Sequence, residues 1–556
     1  MKIDLKLPLI VFTVVGAVIA GGCSGGSSDS SSPSVWDGDP LVPYAWHLGN
    51  TGQTSFAKNG GLAGEDINVA EAWTLGYTGK GVKIAVTDSG LEIVHEDIAD
   101  NVLVDQCRDY RLPYPFGKDP TSTELRGDHG TSVAGLIAAL GWNGKGSRGI
   151  APNAKVAGLN ILANFNLETL IDQLEGDFDI FNQSWGVMPL PGDGSPRAYV
   201  PVPDAYQLQI RYGVNRLRNG KGAIYVRSLG NSYEDAFRDG EVVSRPGNGD
   251  GYVALPQHIM VGALNANGLK SSYSSAGSNI WVSAPGGEFG IDHPAMITID
   301  QSTCEIGFSR IGATKNPFEG GHELNPDCNY TSTFNGTSSA APVTSGVVAL
   351  MLEANPDLTW REVKYILAIT ATQIDKDFQP LTHPLDPPGH INEPGWITNA
   401  AGHKFHNWYG FGRINAGAAV KMAKNYKSNW KTYQEKAYFV DGLSLDIPDN
   451  DKDGVTTEIE VEEDLKIEAV QLEVSITHPF TGDLGIELTS PSGTTSVVLN
   501  TNNSFDQPDF NEAVLLSNAF LDELSKGKWK VRVIDGRAGN IGTLTKVGIN
   551  IIGRKP

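Results

Sequence analysis

From about residue 39 to 423, short β-branched apolar runs alternate with segments whose apolar residues recur at helical spacing. VKIAVTDSG (82–90), AKVAGLNIL (154–162), GAIYVRSLGN (222–231) and HIMVGAL (258–264) are apolar almost throughout, as strands covered on both faces must be. TSVAGLIAALG (131–141) reads as a helix between them, and this order predicts an α/β fold with a parallel sheet and crossover helices. From about residue 429 the period changes to two. IEAVQLEVSIT (467–477), DLGIELTSP (483–491), TTSVVLNT (494–501), WKVRVIDG (529–536) and LTKVGINIIG (544–553) alternate apolar and polar positions between Gly, Asn, Asp and Pro turns. That pattern predicts an all-β sandwich or jelly roll, so the reading is an α/β unit over 39–428 followed by a β unit over 429–556.

The N-terminus follows neither pattern. Lys2 and Lys6 precede an apolar run from Leu7 to Ala20 that is too short to span a bilayer comfortably, and Gly21-Gly22-Cys23 follows. Residues 1–22 read as an export signal. The small-small-Cys ending resembles the bacterial lipobox, which implies that Cys23 receives a diacylglycerol, becomes the mature N-terminus and anchors the protein to a membrane. Ala20 stands where a lipobox usually has a larger aliphatic residue, and plain cleavage with secretion is the alternative. Ser24 after the cysteine fits an outer-membrane or cell-surface lipoprotein, and Ser/Gly-rich residues 23–38 read as a flexible tether.

At 556 residues the chain is longer than one core usually organises. A net charge of -21 argues against nucleic acid and anionic membrane surfaces as partners. The same charge would attract cationic substrates, and it equally serves solubility. Beyond Cys23 the cysteines are Cys107, Cys304 and Cys328. In an oxidising compartment Cys304 and Cys328, which flank one loop, form the natural pair and leave Cys107 single. No Cys-x-x-Cys spacing suggests a thiolate metal site.

Three segments carry chemistry: VTDSGLEIVHEDI around Asp88, GDHGTSVAGLIAAL around His129 and FNGTSSAAPVTSGVVALML around Ser338. A serine hydroxyl needs a base to take its proton, and the base needs a carboxylate to fix its tautomer and balance the imidazolium. Asp88 falls at the C-terminal end of a predicted parallel strand, where open α/β sheets place their sites. His129 and Ser338 each open a predicted helix, whose dipole suits developing negative charge. Singly, an Asp-Ser-Gly turn, a His-Gly cap or a Gly-Thr-Ser is commonplace.

Together, in the order Asp, His, Ser, the segments closely resemble the subtilisin-like serine proteases over nearly all of residues 39–423. That resemblance implies a serine endopeptidase acting on protein or peptide substrates, with an oxyanion hole formed by Asn231 and the Ser338 N–H. It also implies that Ser184, Trp185 and Gly186, in NQSWG, lend backbone groups to an extended substrate; Trp185 can equally be core. GWITNAAGHKFHNWYGFGRINAGAAV (395–420), THPFTGDLGIELTSPSGT (477–494) and GKWKVRVIDGRAGNIGTLTKVGINIIG (527–553) resemble the kexin and furin branch and its β-sandwich P domain. The P domain supports folding in that branch, and a carbohydrate- or surface-binding appendage is the alternative.

Cleavage after Arg or Lys is implied by the same likeness. GNGDGYVAL points to Asp250 at the base of the pocket, and Asp193 in PGDG is a candidate second carboxylate. Ser89 and Ser275 replace acidic residues of the branch, which speaks against strict dibasic specificity. Structural Ca²⁺ is implied at Asp39, Asp97 and Asn143 with the carbonyls of Leu140, Lys145 and Ser147, and a weaker second site at Asp109 and Asp119. No propeptide fits between Cys23 and DPLVPYAWHL (39–48), so the P domain or a dedicated folding chaperone is expected to replace it. A broad degradative subtilase and a non-catalytic surface-binding lipoprotein are the rival readings.

Overall fold

The structure, a computed structural model, describes residues 34–125, 129–186, 197–233, 236–238, 240–313, 316–428 and 430–556. The export signal, Cys23, the first part of the tether and Asp193 lie outside the described residues. Among the described residues, six parallel strands form the centre: β1 (Lys83–Thr87), β2 (Lys155–Leu159), β3 (Ile180–Gln183), β4 (Ile224–Ser228), β5 (His258–Leu264) and β6 (Val282–Pro285). Their spatial order is β2-β1-β3-β4-β5-β6. Apart from the first residues of β1 and β2, every strand position is buried. Both faces are therefore covered, which is why these strands are apolar runs and not alternations. The order reverses at β1, and the crevice beyond such a reversal is where α/β sheets hold ligands.

Two helices reach that crevice, α1 (His129–Ala138) and α2 (Thr337–Ala354). Both are buried almost on all sides, so small residues are needed where neighbours press close. A Cβ on Gly135 would lie 2.4 Å from Thr298 Oγ1. Thr298 belongs to β7 (Met296–Ile299), which pairs antiparallel with β8 (Tyr330–Phe334). A disulfide between Cys304 and Cys328 ties the loop between β7 and β8, and Cys107 is free and buried.

The C-terminal part contains β9 (Tyr433–Val440), β10 (Leu445–Ile447), β11 (Asp451–Val461), β12 (Lys466–Thr477), β13 (Leu484–Thr489), β14 (Thr495–Leu499), β15 (Phe510–Ser517), β16 (Gly527–Asp535) and β17 (Gly542–Arg554). One antiparallel sheet runs β9-β17-β12-β15, with β10 also on β17; the other runs β11-β16-β13-β14. Val470, Leu472, Val474 and Ile476 of β12, Val531 and Val533 of β16, and Val547, Ile549 and Ile551 of β17 fill one core between the sheets. These positions are two apart, the spacing that points alternate residues to one face.

The sandwich is docked on the α/β part through both apolar and charged contacts. Ala519 and Leu521 belong to the larger core, and Ala254, Ala469, Leu516 and Ile552 form a small shared cluster. Arg361 of the α/β part donates from Nε to Glu468 of the sandwich at 2.7 Å, and Arg554 bonds the same Glu468 at 3.1 Å and Asp522 at 2.7 Å. Among the described residues, no helix is long and apolar enough to cross a membrane.

Candidate active site

Asp88 directly follows β1 at the reversal of strand order and is fully buried. Its Oδ1 lies 2.7 Å from His129 Nδ1 and accepts the Ser89 N–H at 2.7 Å. His129 is the first residue of α1, half-open to solvent, with its ring packed edge-on against Phe334. Ser89 Oγ accepts the Gly130 N–H at 3.0 Å, so this serine satisfies one of the donors left over at the start of α1.

Ser338 is the second residue of α2, and Pro342 four positions on has no N–H to give its carbonyl. Ser184 Oγ takes that place, donating to Ser338 O at 2.9 Å, while Ser338 Oγ donates to Ser184 O at 3.3 Å. The strand end carrying Ser184, Trp185 and Gly186 is thereby locked to the helix carrying Ser338. Asn231 Oδ1 accepts from Thr337 N at 2.8 Å and Thr337 Oγ1 at 2.9 Å, which fixes the amide. Gly336 has φ +103°, and a Cβ there would lie 3.2 Å from Asn231 Nδ2 and 3.4 Å from Ser338 N. Two N–H donors thus converge on a space that only glycine at 336 leaves open.

Beside this lies a cleft walled by Ser184–Gly186 on one side and Ser228–Ser232 on the other. Asp250 is the one acidic side chain lining it among the described residues. Its Oδ1 accepts the N–H groups of Tyr252 at 2.9 Å and Val253 at 3.1 Å. Burial pushes its carboxyl up, opposed by the charge of Arg227, the Val253 N–H and the charge of Arg245. Arg227 is fully buried, bonds Gln183 and lies 4.2 Å over the Trp185 ring, which makes Trp185 both a packing residue and a cleft wall. Ser275 also lines the cleft and accepts the Ser232 N–H. The two arginines escaped the sequence reading. For Arg227 the signal was a charge in the middle of an otherwise apolar strand.

Asp39, Asp97 and Asn143 converge on the loop that carries Leu140, Lys145 and Ser147. Asp39 accepts from the N–H groups of Trp142, Asn143 and Gly144 and from Arg148 Nε at 2.7 Å. Arg148 is buried, with its guanidinium 4.1 Å from the Trp142 ring and 5.2 Å from the Trp73 ring. Asp97 accepts Asn143 Nδ2 at 2.7 Å and the Ser147 N–H at 3.3 Å. Burial pushes its carboxyl up to about 8, against the Asn143 amide and with the Asp39 charge adding to the rise. One carboxylate balanced by an internal arginine, a second left without such a cation and an amide oxygen form a hard donor set, and that chemistry fits Ca²⁺. Asp109 and Asp119 differ. Asp109 is paired with Arg111 at 2.7 Å and bonded by Asn160, while Asp119 accepts the Thr121 N–H in its own turn.

Comparison with known proteins identifies the family. The subtilase family profile matches residues 79–412, and the proprotein convertase P-domain profile matches residues 467–551. The Aeromonas extracellular serine protease of Aeromonas sobria is 36% identical over 539 residues, covering 89% of this chain and 84% of the relative. Neuroendocrine convertase 2 of Mus musculus is 31% identical over 531 residues, covering 92% of this chain and 72% of the relative. The crystal structure of the A. sobria serine protease superposes with a TM-score of 0.84 at 31% identity, covering 96% of this chain and 100% of that one. The same protease in complex with a chaperone, ORF2, superposes with a TM-score of 0.85, covering 95% and 97%. The chain belongs to the subtilase family of serine endopeptidases and carries a proprotein convertase P-domain behind its parallel-sheet catalytic unit.

Proposed function

We propose that the chain hydrolyses peptide bonds through Ser338, His129 and Asp88, with a preference for Arg or Lys before the scissile bond. The observation that carries the reading is the Asp88–His129 contact of 2.7 Å beside the two N–H donors around Gly336. Ser338 Oγ attacks the carbonyl carbon as His129 takes its proton, and Asp88 holds His129 through Nδ1. Negative charge develops on the carbonyl oxygen, where Asn231 Nδ2 and Ser338 N–H receive it. His129 returns the proton to the leaving amine, and water then hydrolyses the acyl-enzyme by the same steps reversed. Ser184, Trp185 and Gly186 receive the substrate as an added strand.

Support for the basic preference comes from Asp250, a buried carboxylate at the cleft base that a guanidinium or ammonium would balance. Asp193 remains a candidate second carboxylate of that pocket. Arg227 and Arg245 already face Asp250, so the preference is graded and not absolute. Ca²⁺ would be held by Asp39, Asp97, Asn143 and the carbonyls of Leu140, Lys145 and Ser147, and would clamp the N-terminal segment to the calcium loop. A dedicated folding helper is proposed because the A. sobria protease forms a complex with a chaperone. Export follows from residues 1–22 and the extracellular relative, and membrane anchoring through Cys23 from the lipobox-like ending.

The test compares fluorogenic peptides ending in Arg, Lys, Phe or Leu, with Ser338→Ala as control. Turnover that is abolished in the control and favours Arg or Lys is expected. Turnover favouring Phe or Leu would retain the triad and discard the basic pocket, and activity persisting in Ser338→Ala would discard the triad.

A further inference from the structure

β15 and β14 each lie at the edge of a sheet, and edge strands present rows of N–H and C=O groups without a strand partner. Here both edges face the segment that forms the floor of the cleft. Asn248, two residues before Asp250 and fully buried, donates from Nδ2 to Val498 O of β14 at 3.0 Å and Leu516 O of β15 at 3.1 Å. Its Oδ1 accepts the Leu516 N–H at 2.9 Å, so this one side chain does for Leu516 what a neighbouring strand would. Two residues back along β15, the Tyr199 hydroxyl donates to Val514 O at 2.9 Å and accepts the Val514 N–H at 3.1 Å. Tyr199 belongs to the stretch that pairs with the floor from the other side, Val200 with Asp250, and Val200 O accepts the Gly251 N–H at 2.8 Å. Ser504 N–H to Ser244 O at 3.1 Å and Gln471 Nε2 to Ala254 O at 2.8 Å fasten the two ends of the same segment.

We propose that Asn248 is a positioning residue for substrate selection: it completes the exposed edges of both sheets of the sandwich and so ties the floor of the substrate cleft to the P domain. The P domain then fixes where the Asp250 carboxylate stands beneath the entering side chain. Selectivity for the residue before the scissile bond is accordingly a property of both domains. The proposal rests on the assignment of the Asp250 cleft as the primary pocket.

Asn248→Ala, Tyr199→Phe and Asn399→Ala are compared with wild type in kcat and KM for peptides ending in Arg, Lys, Phe and Leu. Asn399 is the control, since it also bonds the sandwich, at Ala519 O and Leu521 O, and touches no residue of the floor. Asn248→Ala is expected to raise KM for the preferred peptide about tenfold while kcat changes less than about threefold, narrowing the spread among the four peptides. Tyr199→Phe shifts the spread in the same direction and less, and decides the matter if Asn248→Ala does not fold. Asn399→Ala is expected to lower the melting temperature and leave the spread intact. An unchanged spread in both floor variants, or an equal narrowing in the control, overturns the proposal. A wild type that prefers Phe or Leu would sink the basic pocket alone, because the clamp predicts narrowing whichever side chain is preferred.

Discussion

Ser338 sits where α2 is built around a missing hydrogen bond. Pro342 leaves the Ser338 carbonyl to Ser184, so the serine and the strand end that would receive the substrate move as one. Among the described residues the Asn231 side chain bonds Thr337 through its carbonyl oxygen, which leaves Nδ2 for the proposed oxyanion role. Asn231→Ala is expected to lower kcat by about 100- to 1,000-fold with little change in KM, measured at saturating substrate. Gly336→Ala should lose activity at least as severely, because its methyl would stand between the two donors in a left-handed backbone conformation. A variant of Gly336 with wild-type kcat would remove that space from the mechanism. Asp88, His129 and Ser338, the proposed triad, stood out in the sequence because each lies in a contiguous motif. Arg245 did not, since Pro246-Gly247 and Asn248-Gly249 announce a turn but not which side chains it brings to the cleft.

Elements differ in how openly the sequence announces them. β1, β2, β4 and β5 were legible as apolar runs, and β12 and β17 as alternations, because burial on two faces or one writes itself directly into residue choice. Loops follow other rules. The loop closed by Cys304 and Cys328, 24 residues apart, gains its order partly from the cross-link, and replacing both cysteines by alanine is expected to cost about 3 kcal/mol, read as a lower melting temperature. Glu393 lies in another loop, buried, accepting the Gly395 N–H at 3.4 Å, and burial pushes its carboxyl from 4.5 up to about 8. The folded chain therefore keeps a proton that the unfolded chain releases. Stability from this group is complete below 4.5 and is lost as pH rises to about 8. Glu393→Gln should flatten the fall in melting temperature across that window, and an unchanged profile would assign the fall to other groups.

For the whole molecule, the junction between the two folds is the feature that carries consequences. Leu521 and Ala519 complete the core of the α/β part, and the Arg361–Glu468–Arg554–Asp522 network closes the seam. A chain ending at residue 428 would expose this apolar surface and leave half-buried Arg361 without the Glu468 carboxylate. It is expected to lose cooperative thermal unfolding, not merely a few degrees of melting temperature. Ca²⁺ at the Asp39–Asp97 set should raise the melting temperature of the full chain by binding only the folded state, with the effect abolished in Asp97→Asn. A calcium-independent melting temperature would leave the Asp39 carboxylate balanced by Arg148 alone of the groups described for it.

By itself the sequence determined the two fold classes and singled out Asp88, His129 and Ser338 as the candidate chemistry. Periodicity reports how many faces of a strand are buried, and local motifs report residues whose chemistry and backbone must coincide. Only the tertiary structure decided that the cleft floor is fastened to the sandwich through Asn248, that the charge of Arg227 acts on Asp250, and that Arg148 balances Asp39. Those relations join residues tens to hundreds of positions apart. They depend on which edge of which sheet meets which turn, and no spacing along a chain encodes that meeting.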